Sequence, residues 1–181
     1  MWHPPSRAAM SWLLTLATER VESSQMPQLS FLTPLGPLTL SEEEGAIVAL
    51  DWGRGRDQHE TDLLRTARDQ LQAYFDGERN RFDLPLAPFG TAFQQRVWAA
   101  LQAIPPGETR SYGELAHELG SVARAVGQAN GRNPIPIIIP CHRVVGGGGA
   151  LGGYSGGEGV TTKRYLLDLE RRSLRQQGTL L

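Results

Sequence analysis

Apolar positions along the chain change their period part-way. Between residues 28 and 50 they fall in short runs, 29–32, 38–40 and 46–50, separated by Pro34-Leu35-Gly36-Pro37 and by a polar stretch from Ser41 to Gly45. Short β-type runs broken by turn residues predict a small antiparallel sheet. From residue 60 the spacing becomes helical, with Leu63, Leu64, Ala67, Leu71, Tyr74 and Phe75 on one face and Gly77 as a stop, so one helix covers the sheet. Phe82, Leu84 and Leu86 then alternate with polar or proline residues and read as a further edge strand. Pro88-Phe89-Gly90 punctuates the chain and sets a domain boundary.

The second half is mainly helical. Phe93, Val97, Trp98, Leu101 and Ile104 mark a helix from about Thr91, halted by Pro105-Pro106-Gly107. Ser111 and Glu114 have capping-box spacing, and the helix they start carries Tyr112, Leu115 and Leu119 as far as Gly120. A third helix begins near Ser121, with Ala123, Val126 and Ala129 on one side and Arg124 projecting from it, and ends at Gly131. Two short helices joined at Gly120 make a helix-turn-helix pattern, which many proteins that never touch DNA also contain. A last helix over 162–171 turns Leu166, Leu167 and Leu169 inward, and the tail after Leu174 reads as frayed. The class is α+β: residues 26–88 a small N-terminal antiparallel sheet with a covering helix, residues 91–174 a mainly helical domain, and 175–181 a tail. Residues 1–25 read as an extension, amphipathic or loosely ordered; the apolar stretch 8–17 makes a poor signal-peptide core, with Arg7 the one early positive charge and Glu19 close behind.

Composition narrows the chemistry. The 181 residues contain one cysteine and four scattered histidines, which excludes a disulfide framework and argues against a metal site. A lone thiol fits a reducing, cytoplasmic setting, and no run reaches the roughly 20 apolar residues of a membrane span. The net charge of −1 hides an asymmetry, since residues 91–181 carry ten Lys/Arg against six Asp/Glu. A mildly basic half is compatible with a polyanion and, alone, weak evidence for one.

The cysteine is Cys141, in Ile139-Pro140-Cys141-His142-Arg143-Val144-Val145, between prolines and a run of glycines from Gly146 to Gly149. A single cysteine is most often a small buried hydrophobe. A thiol beside an imidazole at the end of an element is instead a candidate nucleophile, because the thiolate attacks and an adjacent base controls its formation. Neighbours in an extended segment point to opposite sides, so a proton relay through water suits the pair better than a direct dyad.

These residues, together with Arg124-Ala125-Val126-Gly127, Asn133-Pro134, Gly153-Tyr154-Ser155-Gly156-Gly157 and 163–170, resemble the methylated-DNA–protein-cysteine methyltransferases, the O6-alkylguanine-DNA alkyltransferases. The resemblance runs from about Phe93 to Glu170; the preceding half matches in layout more than in sequence. It implies a winged-helix-like C-terminal domain and irreversible, single-use transfer of the alkyl group to Cys141, with no cofactor and no metal. It implies that His142, oriented through Glu170 and a bound water, takes the thiol proton. Tyr112 and Ser155 would then address the purine ring and O6, and Asn133 would brace the helix-turn-helix. The Cys141 and Val144 carbonyls would accept from the guanine amino group, and Tyr154 would wall the pocket. Arg124 would fill the gap left by a flipped base, and Ala123, Ala125 and Gly127 would allow close approach to the DNA backbone. The implied partner is duplex DNA bearing O6-alkylguanine, with O4-alkylthymine a second candidate, bound by a monomer, with cooperative binding on DNA left open. Two departures bear on this: the turn from Gly120 to Arg124 is about two residues short, and the loop from Gly157 to Lys163 about two long. They leave open where the recognition helix starts and whether methyl is preferred to bulkier groups. A lesion-binding module without transfer, a cysteine hydrolase and a helix-turn-helix regulator are the competing readings.

Overall fold

The computed structural model describes residues 26–56 and 58–178; the expected extension at 1–25 lies outside the described residues. Strands β1 (Gln28–Thr33), β2 (Gly36–Glu43) and β3 (Ala46–Trp52) form an antiparallel sheet in the order β1-β2-β3. The register pairs Leu29 with Leu40 and Leu40 with Leu50, and Phe31 with Leu38, so one face is apolar and buried. Glu44 and Gly45, both at positive φ, make the two-residue β2–β3 turn, and this is the twist that a tight hairpin favours. The opposite face is polar but covered, because Thr39 Oγ1 donates to the Gly53 carbonyl and accepts from Gly55 N–H, both at 2.8 Å.

Helix α1 (Asp62–Phe75) starts at Thr61, whose hydroxyl accepts from Leu64 N–H, and buries Leu64, Ala67, Leu71, Tyr74 and Phe75 against the sheet. The edge strand expected over Phe82–Leu86 does not form. Leu86 makes a single parallel bridge with Ile47, and Pro85 and Pro88, having no N–H, give nothing to extend a ladder.

Helix α2 (Ala92–Gln102) begins with a Thr91–Gln94 capping box and α3 (Tyr112–Glu118) with the Ser111–Glu114 one. Helix α4 (Ala123–Gly131) follows after a compact turn. Gly120 N–H donates to His117 O and Ser121 N–H to Ala116 O, with Gly120 at φ +61°, a Schellman arrangement that satisfies the end of α3. Val122 then supplies the first carbonyl of α4, to Ala125 and Val126. The short turn therefore starts the helix at Ala123, two residues later than expected. Trp98 ties α2 to α4 by donating to Ala129 O at 2.9 Å. A parallel pair, β4 (Arg110–Ser111) with β5 (Val144–Val145), joins the start of α3 to the cysteine segment.

Helix α5 (Val160–Gly178) outruns the sequence expectation at both ends. At its start the longer loop folds into the helix entry, where Glu158 N–H donates to Thr162 Oγ1 and Lys163 N–H to Gly159 O. At its end Ser173 Oγ donates to Gly77 O at 2.6 Å and Asn80 Nδ2 to Gln177 Oε1 at 3.0 Å. Residues 175–178 of the stretch read as a tail are thus held by the loop after α1, and 179–181 lie outside the described residues.

Candidate active site

The segment from Ile135 to Val145 is buried throughout. Ile137 sits at φ +73°, a conformation that costs a β-branched residue on the order of 1–3 kcal/mol and that only surrounding structure can enforce. Asn133 supplies part of that enforcement: its Nδ2 donates to Ile139 O at 2.8 Å and its Oδ1 accepts from Ile135 N–H at 3.0 Å. Ile139 N–H closes on Ile135 O, and Cys141 N–H on Ile139 O. The chain then enters a single 3₁₀ turn over Cys141–Arg143, not the extended conformation expected. Successive side chains in such a turn diverge by roughly 120°, so Cys141 and His142 still point different ways.

Cys141 is 5 % exposed. Burial pushes its thiol pKa up, opposed by a hydrogen bond from Asn133, by backbone N–H groups of Cys141 and Ile137, and by the nearby Lys163 charge. His142 is fully buried, and its Nε2 lies 2.7 Å from Glu170 Oε1. Glu170 also accepts from Tyr74 Oη at 2.8 Å, Gly107 N–H at 2.9 Å, Arg143 Nε at 3.0 Å and Arg143 Nη2 at 2.9 Å. Burial alone would raise its pKa; His142 and Arg143 outweigh that and hold the carboxyl far below the usual range. An ionised carboxylate only accepts, so Nε2 carries the hydrogen and Nδ1 presents a lone pair. Nδ1 has no hydrogen-bond partner among the described residues. Desolvation depresses the His142 pKa against the pull of Glu170, and its resting form is neutral.

Around this chain of groups stand the other expected residues. Tyr112 Oη takes a long hydrogen bond from Asn130 Nδ2, 3.4 Å. Tyr154 is buried with its hydroxyl beside the thiol, and desolvation followed by the Cys141 charge drives its pKa up. Ser155 is exposed, its Oγ 3.5 Å from Gly131 O. The Cys141 carbonyl accepts from Val144 N–H and, at 3.4 Å, from Asn130; Val144 itself is buried. A cavity of about 170 Å³ reaches Cys141 between Trp52, Asn133, Pro136, Tyr154 and Gly156. Arg124 and Ala123 are exposed on α4 and Ala125 and Gly127 half-buried. Arg124 lies on the rim of a second, open cavity of about 520 Å³ shared with Tyr112, Gly127 and Gly153. Cys141, His142 and Glu170 therefore converge, with the two tyrosines and Asn133 about them, while Arg124 and Ser155 stand at the margins.

Four participants were not singled out from the sequence. Arg143 clamps Glu170, Asn130 bridges Tyr112 and Cys141, and Tyr74 arrives from the N-terminal half. Lys163 is fully buried, donates to Gly152 O at 3.0 Å and lies 5.9 Å from the centre of the Tyr112 ring. A basic residue directly after Cys141-His142 was the one available signal, for Arg143. Among the described residues no group of His, Cys, Asp and Glu could hold a metal ion, and no helix is long and apolar enough to cross a membrane.

Residues 92–172 match the family model of the 6-O-methylguanine DNA methyltransferase DNA-binding domain, and residues 30–88 match that of the ribonuclease-like domain of the same proteins. The chain belongs to the 6-O-methylguanine DNA methyltransferase family. Within that family it is 48 % identical over 158 residues to the constitutive methylated-DNA–protein-cysteine methyltransferase of Bacillus subtilis, covering 80 % of this chain and 95 % of that one. It is 49 % identical over 148 residues to the Mycobacterium tuberculosis methyltransferase, covering 77 % and 88 %. The crystal structure of the M. tuberculosis O6-methylguanine methyltransferase superposes with TM-score 0.73 at 46 % identity, covering 82 % and 94 %. That organism's protein in complex with DNA gives 0.73 at 49 %, covering 81 % and 93 %. The ribonuclease-like match extends the family through the sheet and α1, where the sequence alone showed only a likeness of layout.

Proposed function

We propose that this protein repairs alkylated DNA by moving the alkyl group from O6 of guanine to Cys141 Sγ, once per molecule. The observation that carries the reading is the buried thiol followed by an imidazole whose Nε2–H rests on an ionised carboxylate, leaving Nδ1 free to accept. In the transfer the S–C bond forms as the C–O6 bond breaks, with the electron pair leaving on guanine. The thiol proton passes through water to His142 Nδ1 and ends on the departing base, where Tyr112 and Ser155 donate to the developing charge. Glu170 stabilises the transient imidazolium. The product is a thioether, which water does not displace, so no second step restores the thiol.

Reaching O6 requires the nucleotide to leave the stack, at a cost of a few kcal/mol. Arg124, exposed at the start of α4, fills the vacated position, while Ala123, Ala125 and Gly127 let the helix sit close to the duplex. Contacts to the backbone suit a monomer that scans all sequences. O4-alkylthymine, whose alkylated oxygen is similarly placed, is a secondary substrate.

Intact-mass analysis after incubation with duplex DNA containing O6-methylguanine tests this directly. One added methyl, mapped to Cys141 and absent in Cys141→Ala, is expected; repeated turnover or transfer by Cys141→Ala refutes it. Arg124→Ala is expected to slow repair of duplex far more than reaction with free O6-methylguanine. Equal losses on both remove the base-flipping role.

A further inference from the structure

We propose that Tyr74, on the N-terminal helix α1, is a positioning residue for alkyl transfer: its hydroxyl fixes the carboxylate oxygen on which His142 Nε2 rests. The proposal builds on the transfer reading above. Tyr74 is 1 % exposed and its hydroxyl lies 2.8 Å from Glu170 Oε1. That oxygen is the one 2.7 Å from His142 Nε2 and 2.9 Å from Arg143 Nη2. Because an ionised carboxylate has no proton to give, the tyrosine donates.

Packing alone does not ask for the hydroxyl. The Tyr74 ring meets Phe75 edge-on at 5.5 Å and Phe82 at 5.4 Å, contacts a phenylalanine would reproduce without a polar atom to satisfy in the core. The hydroxyl's sole hydrogen-bond partner among the described residues is Glu170. A neighbouring link, Ser173 Oγ to Gly77 O at 2.6 Å, ties the turn that follows α1 to α5 and so helps fix where that hydroxyl points. The N-terminal half thereby reaches the proton relay through one oxygen atom.

The electrostatic consequence has a definite sign. The charged and titratable groups facing His142 are Tyr74 from α1, Cys141 and Arg143 from its own turn, and Glu170 and Lys163 from α5. Tyr74 and Arg143 both draw charge from Glu170 Oε1. Without the tyrosine donor that oxygen keeps more of its charge for Nε2–H, the imidazolium is favoured, and less of the accepting, neutral His142 remains at a given pH.

The test is Tyr74→Phe in the full chain, read two ways across pH: the rate of methyl transfer from methylated duplex, and the His142 imidazole titration by NMR. Both midpoints are expected to rise together, so that the rate on the acid limb falls roughly two- to threefold and meets wild type on the alkaline side. Leu71→Val, a buried change on the same helix, is expected to lower stability and move neither midpoint. Site-specific 3-fluorotyrosine at position 74, a stronger donor on the same ring, moves both midpoints down and serves if Tyr74→Phe does not fold. An unmoved His142 midpoint in either variant overturns the proposal, as does a His142 shift that the transfer rate does not follow. Absence of methyl transfer in wild type would instead refute the transfer reading, while the imidazole titration still decides the Tyr74–Glu170–His142 link.

Discussion

Replacing Arg143 by Met keeps most of the side chain's length and removes its charge. Arg143 is 5 % exposed and Glu170 fully buried, and the guanidinium makes two close bonds to the carboxylate and a third, 2.6 Å, to Ile104 O. Removing one partner of a buried pair typically costs about 3–5 kcal/mol, because the other charge is left uncompensated. Here the lower end is expected. Tyr74, Gly107 and His142 still donate to Glu170, and the cavity of about 210 Å³ that Arg143 lines lets water approach. A loss of about 3 kcal/mol in a domain of this size lowers Tm by roughly 6–12 °C. The pH dependence follows from the depressed folded-state pKa of Glu170. Such a group stabilises fully above its unfolded pKa, and the contribution drains away as pH falls toward the folded value. In Arg143→Met burial is less opposed, the folded pKa rises, and the carboxyl neutralises sooner, which relieves the mutant. The gap between the two proteins is therefore widest near pH 7 and narrows steadily as pH falls through the ordinary carboxylate range. Urea unfolding of wild type, Arg143→Met, Glu170→Gln and the double variant at several pH values measures this. A cost below about 1 kcal/mol at pH 7, a gap independent of pH, or strict additivity in the cycle refutes the reasoning.

Two further outcomes are expected. At Gly156 a Cβ would lie 2.9 Å from both Trp52 Cζ2 and Tyr154 Cε1, ring atoms that cannot swing aside, so Gly156→Ala should cost about 1–3 kcal/mol by overpacking. Differential scanning calorimetry checks it, and a loss that Trp52→Ala fails to relieve contradicts the steric origin. The raised pKa and burial of Cys141 predict slow alkylation by iodoacetamide in folded protein at pH 7 relative to the same thiol in urea. Mass spectrometry follows it, and comparable rates would mean the thiol is open and ionised.

Local rules made much of this architecture legible. Ser111 and Glu114 close the capping box their spacing announces, and the helical face Leu64, Ala67, Leu71 packs as its period requires. What could not be read depends on distant partners or on missing donors. Phe82, Leu84 and Leu86 alternate as a strand would, yet Pro85 and Pro88 have no N–H with which to continue a ladder. Helix α5 runs past Leu174 because the Gly77 carbonyl, 96 residues away from Ser173 in sequence, meets it there. Nothing in the local sequence marks Ile137 for a left-handed conformation, since surrounding structure, the Asn133 clamp included, makes it tolerable. Cys141, His142 and Glu170 could be named through family resemblance, whereas the other donors gathered on Glu170, Tyr74, Gly107 and Arg143, come from three separate stretches of chain, and only Arg143 carries a local sign.

Those donors explain how a buried, weakly acidic thiol can serve as an acceptor. Reactive cysteines generally sit in exposed, electropositive places that keep them ionised, and Cys141 departs from that pattern, with burial raising its pKa. A permanently ionised thiol in a single-use protein would be consumed by any passing electrophile. Here the stabilising charge is placed one group further on. His142 and Arg143 hold Glu170 ionised, with Gly107 and Tyr74 also donating to it; Glu170 fixes the proton on His142 Nε2, and in the proposed reaction Nδ1 is the base. In that proposed reaction the thiol stays protonated until a bound substrate aligns an alkyl carbon with sulfur and gives the proton a destination. Reactivity is then set by geometry at the moment of transfer, which a resting pKa does not measure.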